Sequence, residues 1–237
     1  MLGEEIFRSG TLHMSGSALD TLAGTPAWSD LAVNRVLVVV SVILLVANLP
    51  DLFRLVPQLL FCFNRSRGAE ALEHSLGMAR MRNTTALFFA LPFCLIADRY
   101  ELLRPALWSV VPRGWSALAT VGALGVFLLL RALCYALMRP RRLGGEAFAA
   151  LRHNLYNYLL LLAPLMLVTV AVVISGRLDD ALARTLLLAE TGAVWLFSLL
   201  RSGQILGAHC SGLSTFLYLC GLELLPVALM VAAVVLF

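Results

Sequence analysis

The stretch LSTFLYLCGLELLPVALMVAAVVLF, residues 213–237, is 25 residues long and carries a single carboxylate, Glu223. A helix rises 1.5 Å per residue and the hydrocarbon of a bilayer is about 30 Å thick, so about 20 mostly apolar residues cross it. This stretch is long enough. A second apolar run, residues 183–200, carries Glu190. An ionisable side chain at bilayer depth costs roughly 2.5 kcal/mol or more, and such groups usually face a protein interior or a hydrated cavity.

Working outward from these two runs, four more segments have the same character. They run from about 34 to 50, 84 to 103, 115 to 138 and 155 to 174. Backbone in lipid must satisfy its own hydrogen bonds, and solidly apolar runs lack the alternation of barrel strands, so each is read as a helix. The fold class is therefore an all-α, polytopic membrane helix bundle of about six transmembrane helices. Residues 1–33 form an extracytoplasmic N-terminal segment and residues 34–237 one transmembrane domain. The first span meets Pro50-Asp51, and residues 52–63, broken by Arg54 and Pro57, read as a cytoplasmic juxtamembrane amphipathic helix. A single long kinked helix is the alternative. Residues 64–83 are polar and too short to fold alone.

Composition agrees with this class. The chain is 60% hydrophobic and 14% charged, against about 45–50% and about 25% for soluble domains. All 18 basic residues are arginine, and the net charge of +4 fits loops lying against anionic lipid rather than a nucleic-acid footprint. Cys62, Cys94, Cys134, Cys210 and Cys220 form no C-x-x-C pair, so neither a metal centre nor a disulfide framework is expected. No phosphate-binding loop is present and no cofactor is expected. The first 30 residues hold Glu4, Glu5, Asp20 and Asp30 and lack the basic start and apolar core of a signal peptide. Insertion is expected through the first span.

The connections after spans one, three and five, together with Arg131, carry eleven arginines, and the opposite side carries seven. The positive-inside rule then places both termini outside the cytoplasm. Trp28, Trp108 and Trp115 group at the outer interface.

Glu190 lies about 10 Å below the outer end of its span and Glu223 about 15 Å above the inner end of its own. Two readings follow: a proton or cation site shared by both carboxyls, or carboxyls that hydrogen-bond neighbouring helices as packing glue. Around Glu223 several local rules break together. Pro226 lacks an N–H and leaves the Leu222 carbonyl without its helical partner. Gly221 admits a close neighbour. Arg131 and Tyr135 stand one turn apart near the inner end of span three; Arg131 is expected to snorkel to the interface, and pairing with a buried glutamate is the alternative. Asn48 reads as a helix-end group. His153, Asn154, Tyr156 and Asn157 open span four as caps and interface anchors. The candidate intramembrane polar site is thus Glu190, Glu223, Tyr218, Pro226, Arg131 and Tyr135, with no metal ligand among them.

The pattern Leu-Tyr-Leu-Cys-x-Leu-Glu-x-x-Pro over residues 217–226 resembles the signature of an uncharacterised multi-spanning inner-membrane family of Bacteroidota, a domain of unknown function. Phe63-Asn64, Asn83-x-x-x-Leu87-Phe88 and Tyr135-x-x-x-Arg139 match it as well, and the likeness runs over most of residues 35–230. The exclusive use of arginine and the ending at Phe237 without a basic tail depart from it. The resemblance implies a bacterial inner-membrane location and singles out Tyr218, Glu223 and Pro226; it implies no substrate. The leading expectation is a non-enzymatic subunit or assembly factor of an envelope membrane complex, with the bilayer and membrane-protein partners or further copies of itself around it. A small proton- or cation-coupled transporter using Glu190 and Glu223 is the alternative. An intramembrane lipid-modifying enzyme built on Arg152, His153, Asn154 and Asn157 comes third.

Overall fold

A computed structural model describes residues 28–64, 68, 72–102, 111–138 and 143–236. The N-terminal segment up to residue 27, Trp108 and Arg65, Arg67, Arg139, Arg141 and Arg142 lie outside the described residues. The chain is all-α, with no strand among the described residues. The helices are α1 (Ala32–Asn64), α2 (Leu76–Arg99), α3 (Ser116–Leu137), α4 (Gly145–Ser175) and α5 (Asp180–His209). A last rod follows, made of α6 (Gly212–Leu219), a π-helical turn (Cys220–Leu224) and α7 (Leu225–Leu236). Five of these six rods are long and apolar enough to cross a membrane; the protein is a multi-pass membrane protein. The exception, α2, is about 36 Å long at 1.5 Å per residue. It is more polar, and the bundle encloses it on α1, α3 and α4.

Consecutive rods run antiparallel: the last rod turns back from α5, since Ser202 late in α5 meets Glu223 across the turn between His209 and Gly212, and three further sets of contacts establish the same for the others. Asp98 at the end of α2 accepts from Trp28 Nε1 ahead of α1 and from Ser116 Oγ at the start of α3. Tyr135 near the end of α3 meets the Leu151 carbonyl near the start of α4. Asn154, early in α4, donates to the Ser198 carbonyl and Ser202 Oγ, late in α5. The N-terminal end of α1 and the C-terminal end of α7 therefore share one side, the Trp28 end; the opposite side is the Gly144 end.

The helix α4 is the hub. It supplies residues to all three apolar clusters: Ala147, Ala150 and Leu151 to one with α3, α5 and the π turn; Tyr158, Leu162 and Met166 to one with α2 and α5; Leu160 and Ala163 to one with α1 and α2. Small residues make the close approaches, as is usual between membrane helices. In α2 these are Ala79, Ala86, Ala90 and Ala97, all buried. The outer surface is the reverse of a soluble protein's: Val36, Leu129 and Leu213 are 62%, 73% and 74% exposed. A continuous apolar exterior of this kind belongs in lipid.

One expectation is corrected. The chain does not break at Pro50 into a span and a separate juxtamembrane helix; α1 continues through Pro50 and Pro57 for 33 residues. Both prolines are on the exposed side of α1, whereas Leu52, Leu55 and Leu59 on the other side pack against α2 and α4. That packing holds the helix together where a proline removes one bond. Asn48 is accordingly not a helix-end group: it lies inside α1, and its Nδ2 donates to the Leu44 carbonyl at 2.8 Å.

Asp98 ties the Trp28 end. It accepts from Trp28 Nε1 at 2.7 Å, Ser116 Oγ at 3.0 Å and Thr120 Oγ1 at 3.2 Å, joining three elements. Asp98→Ala leaves these donors without their acceptor and is expected to cost about 1–3 kcal/mol, read as a lower thermal midpoint in detergent, with the Trp28 fluorescence shifting in parallel. An unchanged midpoint would show the clasp to be dispensable.

Candidate functional site

The polar centre of the bundle is built from α3 upward. Arg131 and Tyr135 are four residues apart, so both face the same way from α3. They face inward, where Arg131 is 5% and Tyr135 2% exposed. Glu223 meets them from the π turn. The turn has a local cause: Pro226 cannot donate to the Leu222 carbonyl and its ring crowds that group. Widening the turn relieves the conflict, and such π segments often sit at functional positions. Gly221 completes the fit, since a Cβ there would stand 2.7 Å from Met138 Sδ at the end of α3.

Within this frame Arg131 grips Glu223 side-on, with Nη2 at 2.6 Å from Oε1 and Nε at 3.3 Å from Oε2. Its Nη1 donates to the Arg152 carbonyl of α4 at 2.7 Å, and the guanidinium lies 4.7 Å from the Tyr135 ring centroid. Tyr135 donates its hydroxyl to Glu223 Oε1 at 2.6 Å. Ser202 of α5 approaches the same oxygen at 3.4 Å and also receives Asn154 Nδ2 at 3.0 Å. α3 and α5 thus meet the carboxylate of the last rod directly, and α4 joins the network through the guanidinium. Arg131 does not snorkel, contrary to expectation; carboxylate, hydroxyl and carbonyl acceptors within reach satisfy it in place of interfacial water.

Of the six candidate residues the structure joins Arg131, Tyr135 and Glu223 in direct contact. Pro226 is buried beside them and shapes the turn. Tyr218 packs on the apolar cluster next to the network. Glu190 is elsewhere. It lies twelve residues before Ser202 on α5, about 18 Å along the axis, and accepts from Thr169 Oγ1 of α4 at 3.0 Å. Its other carboxyl oxygen is buried without a partner. The two glutamates do not share a site. The group opening α4 also diverges: Asn154 faces α5, His153 faces Glu73, and Arg152 is exposed and contributes its carbonyl to Arg131.

A second polar cluster lies at the Gly144 end and was not anticipated. Fully buried Arg82 of α2 pairs with Glu73 at 2.6 Å, and His153 Nδ1 lies 3.3 Å from the same carboxylate oxygen. Burial opposes ionisation of Glu73, but the hydrogen bond from His153 and the Arg82 charge outweigh it and hold the carboxyl below its ordinary range. One signal was present in the sequence: Arg82 stands at helical spacing from Ala79, Ala86 and Phe89, the buried face of α2. Among the described residues no group of three His, Cys, Asp or Glu gathers as a metal site would require. Set against known protein families, curated proteins and solved structures, the chain matches none.

Breaking a buried ion pair from one side leaves the other charge uncompensated, at about 3–5 kcal/mol. Arg131→Leu and Glu223→Leu are each expected to destabilise by that amount, and the double variant by less than either single. Unfolding midpoints in detergent form the cycle; a double variant worse than both singles would refute the coupling.

Proposed function

We propose that this chain is a structural subunit or assembly partner within a membrane complex of the bacterial inner membrane, with both termini on the extracytoplasmic side. The observation that carries the reading is the closed state of the central charges. Glu223 is neutralised by Arg131 and hydrogen-bonded by Tyr135, an arrangement suited to holding helices in register and ill suited to exchanging an ion. The arginine bias toward the Gly144 end supports the orientation, and the resemblance of residues 217–226 to an uncharacterised Bacteroidota inner-membrane family supports the location. Purification of the full chain in mild detergent, followed by quantitative mass spectrometry, is expected to recover partners at fixed stoichiometry. Repeated recovery of the chain by itself, from cells grown under several conditions, would overturn the proposal.

A proton-coupled carrier is the second reading. Glu190 favours it, with one carboxyl oxygen bonded to Thr169 and the other buried and unpartnered. With Glu223 committed to Arg131, this reading rests on Glu190 alone. The structural reading expects no proton flux above that of empty liposomes when the purified chain is reconstituted with a pH-sensitive dye inside. Flux that disappears in a folded Glu190→Gln variant would reverse the order of the two.

A further inference from the structure

The outward surface of α1 is apolar along most of its length, with one interruption. Asp51 and Arg54, one turn apart, form an ion pair at 3.8 Å whose side chains are 39% and 70% exposed. Exposed apolar residues lie on both sides of it, Val46 at 63% and Leu60 at 60%. The depth of the pair follows from packing. Leu52, Leu55 and Leu59, interleaved with it, share an apolar cluster with Ala86, Phe89, Leu160 and Ala163, so the pair stands near the level of Leu160 of α4. The exposed Arg152 is about 12 Å nearer the Gly144 end along α4, and the exposed Arg35 about 24 Å nearer the Trp28 end along α1, at 1.5 Å per residue. A hydrocarbon layer about 30 Å thick between those two arginines holds the pair inside it. Arg54 can bend its stem toward the Gly144 end; the short Asp51 side chain, one turn deeper, cannot follow. Pro50 and Pro57 are also exposed, and neither has an N–H for the carbonyl of Val46 or Phe53 one turn earlier. In a membrane such freed backbone groups are satisfied by a neighbouring helix.

We propose that this side of α1 is a homodimer interface, in which a second copy, related by a twofold axis along the membrane normal, sets Asp51 of each protomer against Arg54 of the other. Charges within a span face protein and pair with one another rather than face lipid. Copies inserted in the same orientation hold the same residues at the same depth, and a twofold contact must be complementary to itself. An acid and a base one turn apart meet that requirement: two opposite-charge contacts form at one helix crossing. The long 3.8 Å contact within the chain leaves most of the five guanidinium N–H groups of Arg54 for the other copy, its carboxylate and its freed carbonyls included. Ala47, one turn before Asp51, is small and exposed, which lets a second helix approach closely. The inference rests on the reading of the chain as a subunit of a membrane complex and names one member of that complex, a second copy.

The test expresses two differently tagged copies of the full chain in one membrane and reads their co-purification in mild detergent. Asp51→Arg places only cations at the crossing and Arg54→Asp only acids, so each variant by itself is expected to self-associate about tenfold less than the unmodified chain. The two variants expressed together restore opposite charges across the crossing and are expected to co-purify at the unmodified level. Unchanged self-association of either variant overturns the proposal, as does a mixture of the two folded variants that stays apart. Oxidative cross-linking in native membranes tests the same face with the charges intact and decides if the charge variants do not fold. Ala47→Cys is expected to give a disulfide-linked dimer above the background of the unmodified chain, and Val126→Cys, on the exposed side of α3, is expected to give none. No dimer from Ala47→Cys, or an equal yield from Val126→Cys, overturns the interface. Self-association is read between two tags on this chain, so its absence is a separate result from the absence of foreign partners in the purification above, and the first alone refutes this interface.

Discussion

The buried pairing of Arg131 with Glu223 is the constraint around which the bundle is arranged. Apolar side chains in lipid have no solvent to escape, so helix association in a membrane depends on close packing and on polar contacts. Here the polar contacts are concentrated. One carboxylate collects a guanidinium and a phenol from α3 and a hydroxyl from α5, and the same guanidinium reaches a carbonyl of α4. Axial sliding of α3 or of the last rod by one turn would strand a charge in apolar surroundings. Register is thereby specified far more sharply than by leucine and alanine contacts alone.

The π turn and the arginine are two halves of one device. A regular helix through residues 220–224 would collide with the ring of Pro226, and the wide turn both accommodates the proline and presents Glu223 toward α3. Gly221 permits Met138 to close over the turn. At the Trp28 end Asp98 plays an analogous part among neutral donors, and at the Gly144 end Arg82 and Glu73 do so. Polar ties therefore occur at two levels: the Asp98 clasp at the Trp28 end, and the Arg131–Glu223 and Arg82–Glu73 pairs, which reach α4 at the adjacent residues Arg152 and His153.

Much of this was legible in the residues, and the exceptions have physical reasons. The helical class and the rods could be read from run length, because bilayer thickness imposes a length that composition reveals. The disturbance at Gly221, Glu223 and Pro226 was visible as well, because each violates a local rule. Partnership was harder. Arg131 near the end of its span looks the same in sequence whether it snorkels or pairs, since the deciding acceptor lies 92 residues away. Pro50 suggested a break because proline opposes a helix locally, yet packing of Leu52, Leu55 and Leu59 prevailed. Arg82 and Glu73 belong to a polar stretch next to a span, where side chains usually remain solvated, and the one local sign that Arg82 turns into the bundle is its helical spacing from Ala79, Ala86 and Phe89.

The separation of Arg131 from Glu223 also orders events during biogenesis. At about 5–20 residues per second, α3 leaves the ribosome roughly 5–18 s before the π turn exists. During that interval the guanidinium has no carboxylate, and the nascent bundle holds a cation whose acid partner is still to be made. Arrival of the last rod cancels it. A chain cut short ahead of residue 223 lacks that carboxylate altogether, so the central pairing is the last polar tie the bundle can close.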